Sequence, residues 1–390
     1  MLKVVHILPP YNPVPPVNSA GTELRVVNVA KREKSFEPYI ISGYFPHQNE
    51  REYLDGVTHI RIKIGSLYKR LFQKITRIDP NIFFRKAGKI IKDINPGIIH
   101  IHNEPKVLSG IFPYIGNIKV VVHIANEKPF DRKTMGRVDY FIVCSHFISE
   151  WLIREYRVNK DIVSTIYTGT DTDIIKPWWK TPQLRSEERK RYSLADSDTA
   201  ILFAGRVIKE KGVKELIDAF DLLCRDGLNN IRLFIAGDIK ESKDPSNEKA
   251  IYGRFIKEYI SNRTGIHLLG TIIPSLMHRF YAMGDIFVLP SIWNDPFPTV
   301  VLEASAAGLP IAASKRGGIP EFIRDGENGI LINSPEEPSS IADVIKRLIK
   351  DRELRLTLGR NARMDVEGYS WGIVAEKIEN IYKKTMEANH

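Results

Sequence analysis

A chain of 390 residues, 43% hydrophobic and 27% charged, is too long for one ordinary core and too apolar for a disordered or fibrous protein, so two globular domains are expected. The absence of any run of about 18 consecutive apolar residues excludes a membrane-spanning helix. The net charge of +10 is concentrated in one segment, and the two cysteines, Cys144 and Cys224, lack His or Cys neighbours at metal-ligand spacing. The cysteine pattern argues for a reducing compartment and against structural zinc.

In chain order, the first segment carries Lys3 and His6 inside a short apolar run that ends at Pro9. With no small-residue cleavage pattern behind it, this run reads as a first strand rather than a signal peptide, and a cytoplasmic location is expected. Strand-like runs follow at Val4–Leu8, Tyr39–Ile41, Gly97–Ile101, Val120–His123 and Tyr140–Val143, with helical patterns between them. The second half repeats the rhythm at Ala200–Ala204, Arg232–Ala236, Ile286–Leu289, Ile311–Ala313 and Ile330–Ile332. This alternation predicts α/β architecture with two doubly wound parallel sheets, each half one Rossmann-like domain.

Between Arg61 and Lys92 ten basic residues stand against the single acid Asp79, which is nearly the whole charge excess. Leu67, Leu71, Ile75 and Ile78 in the same stretch share one helical face. A basic amphipathic helix suits an anionic membrane surface, which would add peripheral contact at the inner membrane face. The competing reading is a core-packed helix with a solvated basic side. Nucleic acid is not expected, because no stacking aromatics or binding module accompanies the charge.

The run from Thr168 to Pro182, with the charged stretch that follows through Arg191, lacks a continuous apolar face and is expected to be the interdomain linker. The domains are placed at 1–172, 173–370 and 371–390, the last a helix with Val374, Ile378, Ile381 and Tyr382 on one face.

Two loops carry chemistry. Phe203 to Lys214 reads as a strand ending at Gly205, then Arg206, Lys209 and Lys211, then a helix from near Val213. Fixed cations there would neutralise a diphosphate leaving group, while Gly205 and Gly212 let the backbone approach. In Pro290 to Ala304, Asp295 falls in a strand-to-helix turn and Glu303 about two turns down the helix. The amides of Thr299 and Val300 would aim at an anion, and Glu303 would accept from ribose hydroxyls. The bland alternatives are solvated loop charges, Asp295 as a helix cap and Glu303 as a structural residue.

The order Gly205-Arg206, Lys211-Gly212, Gly270, Asp285, Pro290-Ser291, then Asp295-Pro-Phe-Pro, Glu303-Ala304, Gly308-Leu-Pro310 and Gly317-Gly-Ile-Pro-Glu321 resembles family four of the retaining GT-B glycosyltransferases. Weaker matches are Ala20-Gly-Thr-Glu23, Ile99-His-Ile-His-Asn103 and Asp139 to Ser145. The resemblance spans nearly the whole chain. It implies two Rossmann-like domains facing each other across a cleft, with the last helix crossing back to the N-terminal domain.

It further implies transfer of a sugar from a nucleotide diphosphate donor, a UDP-sugar being expected, to a glycan, lipid-linked or cell-surface polysaccharide acceptor. No cofactor or metal is expected beyond that donor. By resemblance Arg206 and Lys211 bind the diphosphate, and Ala20 and Gly21 belong to a loop facing it. Ile272 lies where the nucleobase is contacted, Asp295 meets sugar hydroxyls and Glu303 the ribose. Phe297, Pro298, Thr299 and Val300 hold sugar and phosphate, and His123 stands beside the anomeric carbon. His102 and Asn126 are assigned to the acceptor side. His100 and His102 are assigned to opposite faces of their strand and otherwise taken as structural.

Asp295 in place of Glu, Pro298 in place of Gly and Ile124 in place of an acid depart from the family pattern. The competing functions are a sugar-nucleotide epimerase or hydrolase of the same fold and a non-catalytic coat protein that retains it.

Overall fold

The structure, a computed structural model, describes residues 1–17, 21–65, 82–239, 244 and 246–388. It divides into two compact units, Met1–Thr168 with Trp371–His390, and Gly169–Ser370. Ala20 and the apolar face from Leu67 to Ile78 lie outside the described residues.

In the first unit the strands are β1 (Leu2–Ile7), β2 (Phe36–Gly43), β3 (Arg51–Leu54), β4 (Val57–Ile62), β5 (Ile98–His102), β6 (Lys119–Ile124), β7 (Tyr140–Val143) and β8 (Val163–Thr165). They form one sheet in the order β3-β4-β2-β1-β5-β6-β7-β8. All neighbours are parallel except β3 and β4. Parallel strands covered on both faces are largely apolar, which is why β5, β6 and β7 are rich in Val, Ile and aromatic residues, interrupted in β5 and β6 by His100, His102 and His123. The sequence reading missed β3, β4 and β8, although Asp55-Gly56 between the first two is a two-residue hairpin signal, with φ of 50° and 83°.

Helices α1 (Gly21–Ala30), α2 (Ile82–Ile94), α3 (Pro105–Ile115), α4 (Arg132–Met135) and α5 (His146–Tyr156) belong to this unit, as does the C-terminal helix Trp371–Glu387. That last helix buries Trp371, Val374, Ala375, Ile378 and Tyr382 among Val4, Phe36, Ile98 and Tyr140. Glu379 fastens it, accepting from the amides of Lys34 and Ser35 at 2.7 and 2.6 Å.

The described C-terminal end of the basic segment is helix α2. Helix α2 buries Phe83, Ala87, Gly88, Ile91 and Ile94 and exposes Arg85, Lys86, Lys89 and Lys92. Its buried face crosses α3 closely, since a Cβ on Gly88 would lie 2.3 Å from Tyr114 Cβ. Arg61 is itself buried, donating to Val14 O and Asn49 O and pairing with Glu52 at 2.9 Å, so it is not part of any basic surface.

The second unit holds β9 (Thr199–Ala204), β10 (Ile231–Ala236), β11 (Ile266–Gly270), β12 (Ile286–Leu289), β13 (Ile311–Ser314) and β14 (Ile330–Ile332), all parallel, in the order β11-β10-β9-β12-β13-β14. Its helices are α6 (Pro182–Arg191), α7 (Val213–Arg225), α8 (Glu248–Ile260), α9 (Met277–Ala282), α10 (Thr299–Ala306), α11 (Pro338–Lys350) and α12 (Arg352–Val366).

The charged stretch expected to be a linker is α6, an integral part of this unit. Ion pairs replace the missing apolar face. Arg185 and Arg189 reach the two oxygens of Asp285 at 2.6 and 2.9 Å, and buried Glu188 accepts from Arg279. The units divide between Thr168 and Gly169 rather than after Thr172. Residues 170–172 are tied to the second unit, by a Thr170–Ser370 bridge and by Arg363 donating to Thr172 O.

Candidate active site

Each sheet has one point where successive strands switch direction outward, between β1 and β5 in the first unit and between β9 and β12 in the second. In open α/β sheets ligands bind beyond the carboxyl ends of the strands at such points. The two chemistry-bearing loops of the second unit leave β9 and β12.

After β9, Gly205 takes φ of 153° and the chain turns through Lys209–Lys211 to Gly212, whose φ of 68° opens α7. The loop is set hard against its neighbour. A Cβ on Gly212 would stand 2.0 Å from Pro290 O, and Ile292 N donates to Glu210 O at 3.0 Å. Arg206 is exposed and makes no ion pair among the described residues, whereas Lys211 is only 8% exposed.

The Lys211 amine donates to Asp295 Oδ2, with Ser291 Oγ donating to the same oxygen at 3.5 Å. Asp295 is 5% exposed, so this is a buried ion pair. The pair joins the two loops. Asp295 O in turn accepts from Gly318 N at 2.8 Å, and Gly317, at φ of 56°, packs so close that a Cβ there would meet Asp295 O at 2.2 Å.

Asp295 does not cap α10. The N-cap is Pro298, which has no side-chain hydrogen bond to give, and the helix starts at Thr299, where helix geometry leaves the amides of Thr299 and Val300 without an intrahelical acceptor while Val301 N donates to Pro298 O at 3.2 Å. Thr299, Val300 and Phe297 are half-buried and Pro298 is buried, with Phe297 stacked on Tyr369 at 6.3 Å. Glu303 is one turn into the helix rather than the expected two. Its carboxyl accepts from Tyr281 Oη at 2.8 Å, and burial raises its pKa above the ordinary carboxylate range while that hydrogen bond pulls the other way.

Ile272 is half-buried in the loop after β11, packed on the same core. Gly21 opens α1 in the first unit, and among the described residues nothing lies within 4 Å of where a Cβ would stand.

In the first unit His123, next to last in β6, is 2% exposed, and among the described residues neither ring nitrogen has a hydrogen-bond partner. Burial, with the Arg25 charge second, holds its pKa well below the ordinary 6.5, so the ring is neutral. Arg25 is buried too, its guanidinium donating to Tyr167 O and Ile166 O, and burial draws its pKa down to about 10. Asn126 is half-buried with an unpartnered Oδ1.

The assignment of His100 and His102 to opposite faces is corrected. Residues two apart in a strand share a face, and their rings lie 4.0 Å apart, centroid to centroid. Both are buried beside His6 of β1. Among the described residues, His6, His100 and His102 bring ring nitrogens within 4.8 Å of one another, a donor set of metal-ligand type.

Sequence reasoning missed four members of these sites: Tyr281, Ser291, His6 and Glu33, whose Oε1 lies 3.1 Å from His6 Nε2. Ser291 stood inside a motif already quoted. His6 had a signal in the polar residue interrupting a buried strand, but Tyr281 and Glu33 reach their partners only through the tertiary fold.

Two parallel α/β units, one carrying a cation-and-acid loop pair at its switch point, define the GT-B class of glycosyltransferase. Residues 185–365 match the family described as Glycosyl transferases group 1, and residues 20–174 match Glycosyltransferase Family 4. The chain is 30% identical over 387 residues to the lipopolysaccharide 1,2-N-acetylglucosaminetransferase of Salmonella typhimurium, covering 98% of each chain. In fold it is similar to a glycosyltransferase from Rickettsia africae, with a TM-score of 0.80, 20% identity and coverage of 100% of this chain and 99% of that one. It is likewise similar to Anabaena HepE in complex with UDP and glucose, with a TM-score of 0.78, 18% identity and coverage of 98% and 100%. The chain belongs to the family-four glycosyltransferases and is a glycosyltransferase.

Proposed function

We propose that this glycosyltransferase moves a sugar, with retention of anomeric configuration, from a UDP-sugar to a glycan or lipid-linked glycan. The observation that carries the reading is the loop pair after β9 and β12, which carries the exposed Arg206 and ties Lys211 to Asp295 ahead of the start of α10. The resemblance of both loops to the family pattern supports retention, and the 30% identical relative's name supports a glycan acceptor.

In this reading the acceptor hydroxyl attacks the anomeric carbon on the face the diphosphate leaves. The bond from that carbon to the phosphate oxygen breaks, and the departing oxygen takes the hydroxyl proton. Arg206 and Lys211 stabilise the charge that develops on the diphosphate, the task a metal ion performs in other transferases, so a metal is not required. Glu303 accepts from the ribose, Asp295 orients Lys211 and meets the sugar, and His123 contacts the transferred sugar.

Arg206→Ala is the direct test, because this side chain is exposed and its loss leaves the core intact. Turnover, read as release of nucleoside diphosphate, should fall by about 10²- to 10³-fold with an unchanged unfolding midpoint. A variant with full turnover removes the diphosphate assignment. Activity unaffected by EDTA is expected, and donor incubated without acceptor should remain unaltered, which separates transfer from epimerisation or hydrolysis. The exposed side of α2 is the surface we assign to peripheral contact with anionic lipid. Salt-sensitive binding to phosphatidylserine vesicles should be seen, and its absence ends that assignment.

A further inference from the structure

The first unit buries His6, His100, His102 and His123 close together. The strand registers set His6 opposite His100 and His102 opposite His123, so four imidazoles form a row across β1, β5 and β6. His6, His100, His102 and His123 are each at most 2% exposed. At one end of the row sits Glu33, whose side chain is 0% exposed.

With Glu33 a carboxylate and His6 a neutral imidazole, the hydrogen bonds run in one direction. A carboxylate only accepts. Glu33 Oε1 lies 3.1 Å from His6 Nε2, so His6 carries its proton on Nε2 and is bare at Nδ1. His6 Nδ1 lies 3.1 Å from His102 Nε2, so His102 must donate from Nε2, which leaves its Nδ1 as a buried acceptor without a partner. The next ring along is His123, with centroids 6.0 Å apart and both nitrogens unpartnered. A neutral imidazole has one donor to offer, and the acceptor at His102 is its complement. The spacing exceeds a direct hydrogen bond and suits one bridging water between the two polar atoms.

We propose that Glu33, through His6 and His102, fixes the tautomer of His123, so that His123 donates toward His102 and presents a bare nitrogen that accepts a hydrogen bond from a hydroxyl of the transferred sugar. Glu33, His6 and His102 are positioning residues, and the chain discriminates in favour of sugars with a hydroxyl donor at that point. A second arm runs from Glu33 through Tyr382 Oη to His100 Nδ1, at 3.4 and 2.6 Å, and does not pass through His123. The inference rests on the reading that His123 touches the sugar, but its spectroscopic part stands without it.

The test is nitrogen-15 NMR of the histidines in the full chain, for wild type, Glu33→Gln, His6→Gln and Tyr382→Phe. In wild type, His6 and His102 should be protonated on Nε2 and His123 should be a single tautomer. Glu33→Gln and His6→Gln should both convert His123 to a tautomer mixture and lower kcat by about 10- to 100-fold, the usual cost of losing the partner that orients a functional imidazole, with KM changed little. Tyr382→Phe, which cuts only the other arm, should leave the His123 signals in place.

Unchanged His123 signals in both Glu33→Gln and His6→Gln overturn the relay. So do a His102 protonated at Nδ1 and histidine signals that move when EDTA is added, which would make the cluster a metal site. If the signals behave as stated but His123→Ala keeps full turnover, the relay stands and the role of His123 at the sugar falls.

Discussion

The ion pair between Lys211 and Asp295 complicates any simple reading of mutants at this site. Both side chains are buried, so removing one leaves the other charged and desolvated, which costs about 3 to 5 kcal/mol. Lys211→Met should therefore destabilise the second unit as well as abolish turnover. The double variant Lys211→Met with Asp295→Leu should recover most of the stability and none of the activity, as judged by urea unfolding and diphosphate release. If the double variant is as unstable as the sum of the singles, the two groups are not an energetic pair. The departure from family pattern at 295 has a local rationale: the Asp carboxylate reaches the Lys211 amine and Ser291 from its own loop.

Helix α6 shows how an element without an apolar stripe is held. Its ten residues carry the buried pair Glu188 and Arg189 and are fastened by charge-assisted hydrogen bonds to the β12 approach. Asp285 also accepts from Ala200 N at 2.8 Å, so it ties α6, β9 and β12 together. Asp285→Asn should lower the stability of the second unit by about 2 to 3 kcal/mol, with nucleotide binding changed far less, because Asp285 lies at the opposite ends of the strands from the loops that carry Lys211 and Asp295. A loss of nucleotide affinity without loss of stability would show that its position has been misread. Periodicity could find α7, with Leu216, Ile217, Phe220 and Leu223 on one face, but not α6, whose partners are charges far away in sequence.

The whole molecule carries a pH dependence set by buried neutral imidazoles. Burial, as the largest cause, depresses His100, His102 and His123 well below 6.5, and takes His59 to about 4 with Arg61 adding to it and Glu52 and Asp55 opposing. For a histidine whose folded pKa is lowered, the unfolded chain binds more protons below pH 6.5, so stability rises with pH across the window from the folded value to 6.5. Acidification from pH 7 to 5 should therefore destabilise the first unit, by on the order of 1 kcal/mol per pH unit for each such group. Denaturant midpoints at the two pH values check this, and a midpoint that rises on acidification would contradict it. The sequence by itself determined the alternation of buried strands and helices, the two largely parallel sheets, the family and the glycine-bracketed loops, because these are written in local periodicity and in backbone conformations few residues tolerate. Only the tertiary structure decided that α6 is part of a domain, that Lys211 is bound to Asp295, that Tyr281 serves Glu303, and that His6, His100, His102 and Glu33 meet. Those facts depend on strand register and on which distant charge satisfies which, and sequence spacing does not encode either.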